Sequence, residues 1–100
     1  MYRVRLLAAV YQERKNLPGI VRQRLKKIID SLGENPRPYN SVALQWEEMQ
    51  ITWEVRRIRV DDWRIVYAIN DEFQQVAILA IRKRPPYDYE DLDDLFGNLE

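Results

Sequence analysis

Tyr2 to Leu6 alternates polar and apolar residues, the period of a strand with one covered face. From Leu7 the period lengthens. Leu7, Val10 and Tyr11 share one stripe, with Glu13, Arg14 and Lys15 outside it, which predicts a helix to about Asn16. Pro18 stops that helix and suits the first turn of the next. Gly19 to Leu32 is the clearest helix in the chain. Val21, Leu25, Ile28, Ile29 and Leu32 form its apolar face, Arg22, Arg24, Lys26 and Lys27 its polar face, and Gly33 is placed to cap its C-terminus.

Prolines and asparagines make Glu34 to Asn40 a loop, while Val42 to Met49 fits neither period. Three strands follow. In Ile51 to Val60 the apolar positions change phase, from Ile51, Trp53 and Val55 to Ile58 and Val60, and a β-bulge near Val55–Arg56 would account for it. Asp61-Asp62 reads as a tight turn into Trp63–Asn70, and Asp71-Glu72-Phe73 as a second turn into Gln75–Lys83. Pro85-Pro86 ends the sheet. Asp88 to Leu99 can form one more acidic helix, with Leu92, Leu95, Phe96 and Leu99 on its apolar side. The expectation is an α+β fold in the order β-α-α-β-β-β. Two N-terminal helices pack on a twisted antiparallel sheet of about four strands, with a short C-terminal helix as an addition. One hundred residues without repeats or low-complexity tracts make a single domain, 1–100.

Composition narrows the chemistry. The chain has no cysteine and no histidine, so it lacks disulfides, a thiol nucleophile, the commonest general base and the commonest metal ligands. Any catalysis falls to Arg, Lys, Tyr or carboxylates. No stretch approaches the roughly 18 apolar residues of a membrane helix. The opening MYRVRLLAAVYQERK lacks a small-residue cleavage pattern. The expected setting is the cytoplasm, with no membrane partner.

The formal net charge of zero hides an asymmetry. Residues 1–87 carry all 16 Lys and Arg against 10 acids, a balance of +6, and residues 88–100 carry six acids and no base, a balance of −6. A basic body suits an anionic partner. The acidic tail would repel such a partner or fold back over the basic surface. Its DYEDLDD run lacks the glycine and spacing of a calcium loop, so neither metal nor cofactor is expected.

With Asp61-Asp62 as a two-residue turn, Val60 faces Trp63, Arg59 faces Arg64, Ile58 faces Ile65 and Arg57 faces Val66. One sheet face then carries Ile58, Val60, Trp63, Ile65, Tyr67 and Ile69 and packs on the helices. The other carries Arg57, Arg59 and Arg64, joined by Arg82 and Arg84 if the next hairpin keeps an even register sum. Like charges directly opposite one another across strands are destabilising, and a phosphate would resolve the repulsion because guanidinium forks bind its oxygens in pairs. The alternative is a solvated face neutralised by Glu54, Asp61 and Asp62.

The run VRRIRVDDWRIVYAINDE followed by VAILAIRKRPPYDYEDL resembles the core of RelE-type toxins of the RelE/ParE superfamily. YRVRLL and NLPGIVRQRLKKIIDSLGENPRP resemble its first strand and paired helices, so the likeness spans roughly residues 2–92. It implies a toxin of a type II toxin–antitoxin system, an endoribonuclease that cuts mRNA in the ribosomal A site without a metal. In that chemistry the ribose 2′-hydroxyl attacks the adjacent phosphate. By position it implies catalytic roles for Arg57, Arg59, Arg64, Arg84 and Tyr89, with Arg82, Lys83 and Tyr87 contacting RNA. Arg82 is the register alternative to Arg84, and Tyr87 the alternative to Tyr89. It also implies a small RelB-like antitoxin that covers basic surface, for which Val76, Ile78 and Ala80 offer an apolar strip, unless they lie under the C-terminal helix. Two other readings share the fold: a ParE-like DNA gyrase inhibitor without nuclease activity, and an inactive domain that only binds its antitoxin.

Overall fold

The computed structural model describes residues 1–44 and 53–83. Five strands and two helices run β1 (Arg3–Leu6), α1 (Ala8–Lys15), α2 (Gly19–Ser31), β2 (Ser41–Ala43), β3 (Trp53–Val60), β4 (Trp63–Asn70) and β5 (Gln75–Lys83). They form one sheet in the order β1-β5-β4-β3-β2. The α+β class and both helices agree with the sequence. The sheet has one strand more than expected, because the ambiguous stretch begins with β2. It is also mixed: β1 lies parallel to β5, while the remaining neighbours are antiparallel. The expected C-terminal helix lies outside the described residues.

At eight residues, α1 is shorter than the ~12–15 residues at which an isolated helix becomes even marginally stable. Packing holds it: Leu7, Val10 and Leu17 are buried. In α2, Leu25 and Ile29 are buried and Val21 and Ile28 pack against the core, while Arg22, Arg24, Lys26 and Lys27 remain exposed. Val4, Leu6 and Ile81 line a cavity with Leu25 and Ile29, which identifies the sheet face under α2. Tyr67, fully buried on that face, satisfies its hydroxyl by donating to the Pro36 carbonyl at 2.7 Å.

Two local expectations are corrected. Gly33 is not a left-handed cap, for no described glycine has a positive φ. Instead β1 crosses it closely. Tyr2 N–H donates to Gly33 O at 2.7 Å, and a Cβ there would stand 3.1 Å from Tyr2 O. Nor is there a bulge at Val55–Arg56: β3 and β4 pair without a break from Trp53↔Asn70 to Val60↔Trp63. The apolar phase changes because both faces of the sheet are covered. Val55 shares one face with buried Val66 and Ala68, and Ile58 and Val60 share the other with Ile65 and Tyr67. The register shift falls instead between β4 and β5, where Val66 pairs with Ala80 but Tyr67 with Ile78, leaving Leu79 as the extra residue.

Candidate functional site

The hairpin pairing read from the sequence is the one observed: Val60↔Trp63, Arg59↔Arg64, Ile58↔Ile65 and Arg57↔Val66. The turn closes with Asp61 at φ 53°, a conformation that aspartate tolerates. Because the bulge at Leu79 restores an even register sum, Arg64 also stands opposite Arg82. Arg59, Arg64 and Arg82 therefore form a row across three adjacent strands on one face, at spacings of roughly 5 Å between neighbours. Arg57 lies two residues along β3 on the same face.

The four arginines are not equivalent. Arg59 is exposed, and Arg57 and Arg82 are half-buried. Arg64 is 3% exposed, and its Nη1 donates to the carbonyls of Trp63 at 3.1 Å and Asp61 at 3.3 Å. Its charge thus ties down the turn that sets the row. Arg82 Nε lies 2.8 Å from Glu13 Oε2, a carboxylate brought in by α1. Nothing in the sequence marks Glu13, because 68 positions separate it from Ile81 in the strand it meets. Lys83 pairs with Trp63 and so falls on the opposite face from the row. Arg84, Tyr87 and Tyr89 lie outside the described residues.

The expected local neutralisation of the row by Glu54 and Asp61 is not what the structure shows. Glu54, paired with Ile69, is on the α2 face, where it meets Arg37 at 2.7 Å and Arg56 at 2.9 Å. Asp61 pairs with Arg24 of α2. The strip of Val76, Ile78 and Ala80 is fully buried and divided by the bulge, Val76 and Ile78 opposing Ile69 and Tyr67 while Ala80 opposes Val66. It therefore offers no docking surface.

A second polar cluster fastens the 34–41 loop to the sheet. Arg37 bonds Asp71 at 2.7 Å and Glu54 at 2.8 Å, and Tyr2 donates its hydroxyl to Asp71 at 2.6 Å. Arg56 donates to Ser41 Oγ and to the Ser41 carbonyl. The Arg37 bond, seconded by Tyr2, holds the Asp71 carboxyl below its ordinary range. Burial pushes Glu54 upward, but hydrogen bonds from Arg37 and Arg56 outweigh it and leave that carboxyl low as well. The same bond to Asp71 raises the Tyr2 hydroxyl, and burial raises that of Tyr67. These groups are paired with one another and act structurally. Among the described residues, no set of three or more acidic side chains could hold a metal ion. No described helix is long and apolar enough to cross a membrane.

Two helices on a five-stranded sheet in this order are a fold shared with solved RelE toxins. A family model described as the ParE toxin of the type II toxin–antitoxin system parDE matches residues 5–85. The chain belongs to that family, and it is a toxin of a type II toxin–antitoxin system. Among solved structures, the archaeal RelE–RelB complex of Pyrococcus horikoshii is similar at 24% identity and a TM-score of 0.75, over 86% of this chain and 98% of that one. The RelBE2 toxin–antitoxin complex of Mycobacterium tuberculosis is similar at 23% identity and a TM-score of 0.69, over 83% and 98%. The intact RelBE complex of E. coli gives 25% and 0.61, over 83% and 96%. Among curated protein sequences, none matches.

Proposed function

We propose that this toxin is a ribosome-dependent endoribonuclease that cuts mRNA in the ribosomal A site and so stops translation. The observation carrying this reading is the row Arg59–Arg64–Arg82, with Arg57 beside it. Such a row binds a phosphate and opposes the negative charge that grows on a phosphorane, an effect worth a few kcal/mol for a preorganised donor. The ribose O2′ bonds to the adjacent phosphorus while the bond from phosphorus to O5′ breaks. The 2′-hydroxyl loses its proton to a base, and the departing O5′ gains one, leaving a cyclic phosphate and a 5′-hydroxyl. Arg59 and Arg82 would hold the non-bridging oxygens while Arg64 keeps the hairpin in register. A catalytic role falls to Arg84 as well. Proton transfer or base stacking would fall to Tyr89, with Tyr87 the alternative, and no metal takes part. The partner would be a small RelB-like antitoxin, since similar toxins are found in complex with RelB. The working place is the cytoplasm.

A ParE-like action on DNA gyrase is the second reading, favoured by the description of the matching family. One experiment separates them: expression from a tightly repressed promoter, with growth followed and mRNA 5′ ends mapped by primer extension. Arg59→Ala runs in parallel, since that exposed side chain can be removed without emptying the core. Arrest with new ends phased inside translated codons, both lost in Arg59→Ala, is the expected result. Arrest with a DNA-damage response and no codon-phased ends would favour gyrase. No arrest would favour a domain that only binds its antitoxin.

A further inference from the structure

We infer that Glu13 is a positioning residue that braces the open end of β5 and sets Arg82 in the arginine row. The inference rests on the reading of that row as a phosphate site.

The need for a brace follows from the topology. β1 runs beside β5 only from Arg3↔Gln75 to Leu6↔Ile78, and the last bond between them is Leu7 N–H to Ile78 O at 3.2 Å. Beyond Ile78 the chain of β1 turns into α1, so the outer edge of β5 loses its neighbouring strand. The bulge at Leu79 sits at this same point. A register that slipped back by one residue would send Arg82 to the opposite face, because side chains alternate. Everything that puts Arg82 opposite Arg64 therefore lies in the stretch of β5 that β1 does not hold.

Glu13 fills the gap with a single carboxylate. Its Oε1 accepts the Ile81 N–H at 3.4 Å, taking the place of a strand carbonyl. Its Oε2 stands 2.8 Å from Arg82 Nε. The two side chains are 23% and 27% exposed, so the pair is largely out of water, where a lone carboxylate would be costly. One residue of α1 thus fixes the backbone at 81 and the guanidinium at 82 together.

The test uses the full chain and combines kinetics with a spectroscopic signal. Single-turnover cutting of mRNA on programmed ribosomes is measured for wild type, Glu13→Gln, Arg82→Ala and the double variant, alongside the NMR signal of Arg82 Nε–H. Glu13→Gln keeps an acceptor for Ile81 N–H but removes the charge that orients Arg82. The expected result is a fall in kcat on the order of 10- to 100-fold with KM little changed, since misplacement acts on the transition state. The double variant is expected to be no slower than Arg82→Ala alone, and the Nε–H signal to shift in Glu13→Gln as the carboxylate charge that faces it is removed. Faster cutting in Glu13→Gln would overturn the inference and make the carboxylate a brake. Additive losses in the double variant would also overturn it, leaving Glu13 a general support of the fold. If wild type does not cut at all, the nuclease reading fails and takes the catalytic half of this inference with it. The Nε–H signal then still decides whether Glu13 holds Arg82.

Discussion

Arg59 and Arg64 stand directly opposite one another across the β3–β4 hairpin, yet Arg59 is exposed and Arg64 is 3% exposed. Repulsion between such a pair would be expected to favour two solvated side chains. The carbonyls of Asp61 and Trp63 accept the Arg64 Nη1 instead, so one arginine serves the turn and the other faces outward. Their substitutions should therefore separate stability from function. Arg64→Ala is expected to destabilise the chain by about 2–4 kcal/mol, because it empties a buried site and unties the turn. Arg59→Ala should leave stability within about 0.5 kcal/mol of wild type while abolishing codon-phased cutting. Urea denaturation of both variants, beside the primer-extension assay, checks the pair.

If Arg59 contacts a phosphate, its removal should also flatten the dependence of binding on salt. Each phosphate neutralised on a single strand contributes roughly 0.7 to the slope of log K against log salt. Binding of a non-cleavable mRNA, carrying a 2′-deoxy residue at the cut position, to toxin-loaded ribosomes at several salt concentrations gives that slope. Arg59→Ala is expected to lower it by about that amount. An unchanged slope would place Arg59 away from the backbone.

The hairpin register was legible because it is local: a two-residue turn fixes every pair after it. The parallel partnership of β1 with β5 was not, since nothing in YRVRLL specifies which distant edge it joins. The bulge at Leu79 was hidden for another reason. Val76 to Ile81 is apolar throughout and buried throughout, so an extra residue leaves no break in alternation. Two-sided burial also explains the misread phase at Val55, and α1 shows the opposite failure. Tyr11 shares the stripe of Leu7 and Val10 but is 46% exposed, with the Arg14 guanidinium 5.4 Å from its ring centre. The arginines of the described site could be read as a pattern, whereas Glu13 is meaningful only once α1 lies against β5.

The Arg37 cluster predicts how stability responds to acid. Asp71 and Glu54 both titrate below their ordinary values in the folded chain. Their contribution is therefore full above the unfolded values, near pH 4, and lost as pH falls through the folded ones. Arg37→Ala removes the shared partner. It is expected to lower the urea midpoint clearly at pH 7, with the gap from wild type narrowing below about pH 4. The high Tyr2 value acts in the other direction. Its bond to Asp71 is present below about pH 10 and lost as pH rises through the folded value.

Two glycines give a last contrast, because the same substitution should have opposite signs. Gly19 begins α2, and a Cβ there meets nothing within 4 Å. Gly19→Ala should stabilise by about 0.4–1 kcal/mol, since alanine restricts the unfolded chain and suits a helix. Gly33 has no positive φ, so backbone strain does not forbid a side chain. Space does: the new Cβ would stand 3.1 Å from Tyr2 O, and that oxygen belongs to the backbone leading into β1. The strand cannot yield freely, because Tyr2 N–H is bonded to Gly33 O and Arg3 N–H to Gln74 O. Gly33→Ala should therefore destabilise by about 1–3 kcal/mol, the usual range for forcing atoms into a packed contact. Thermal unfolding of the two variants decides it: a rise in Tm for Gly33→Ala would mean that β1 moves aside and that Gly33 was not chosen for its size.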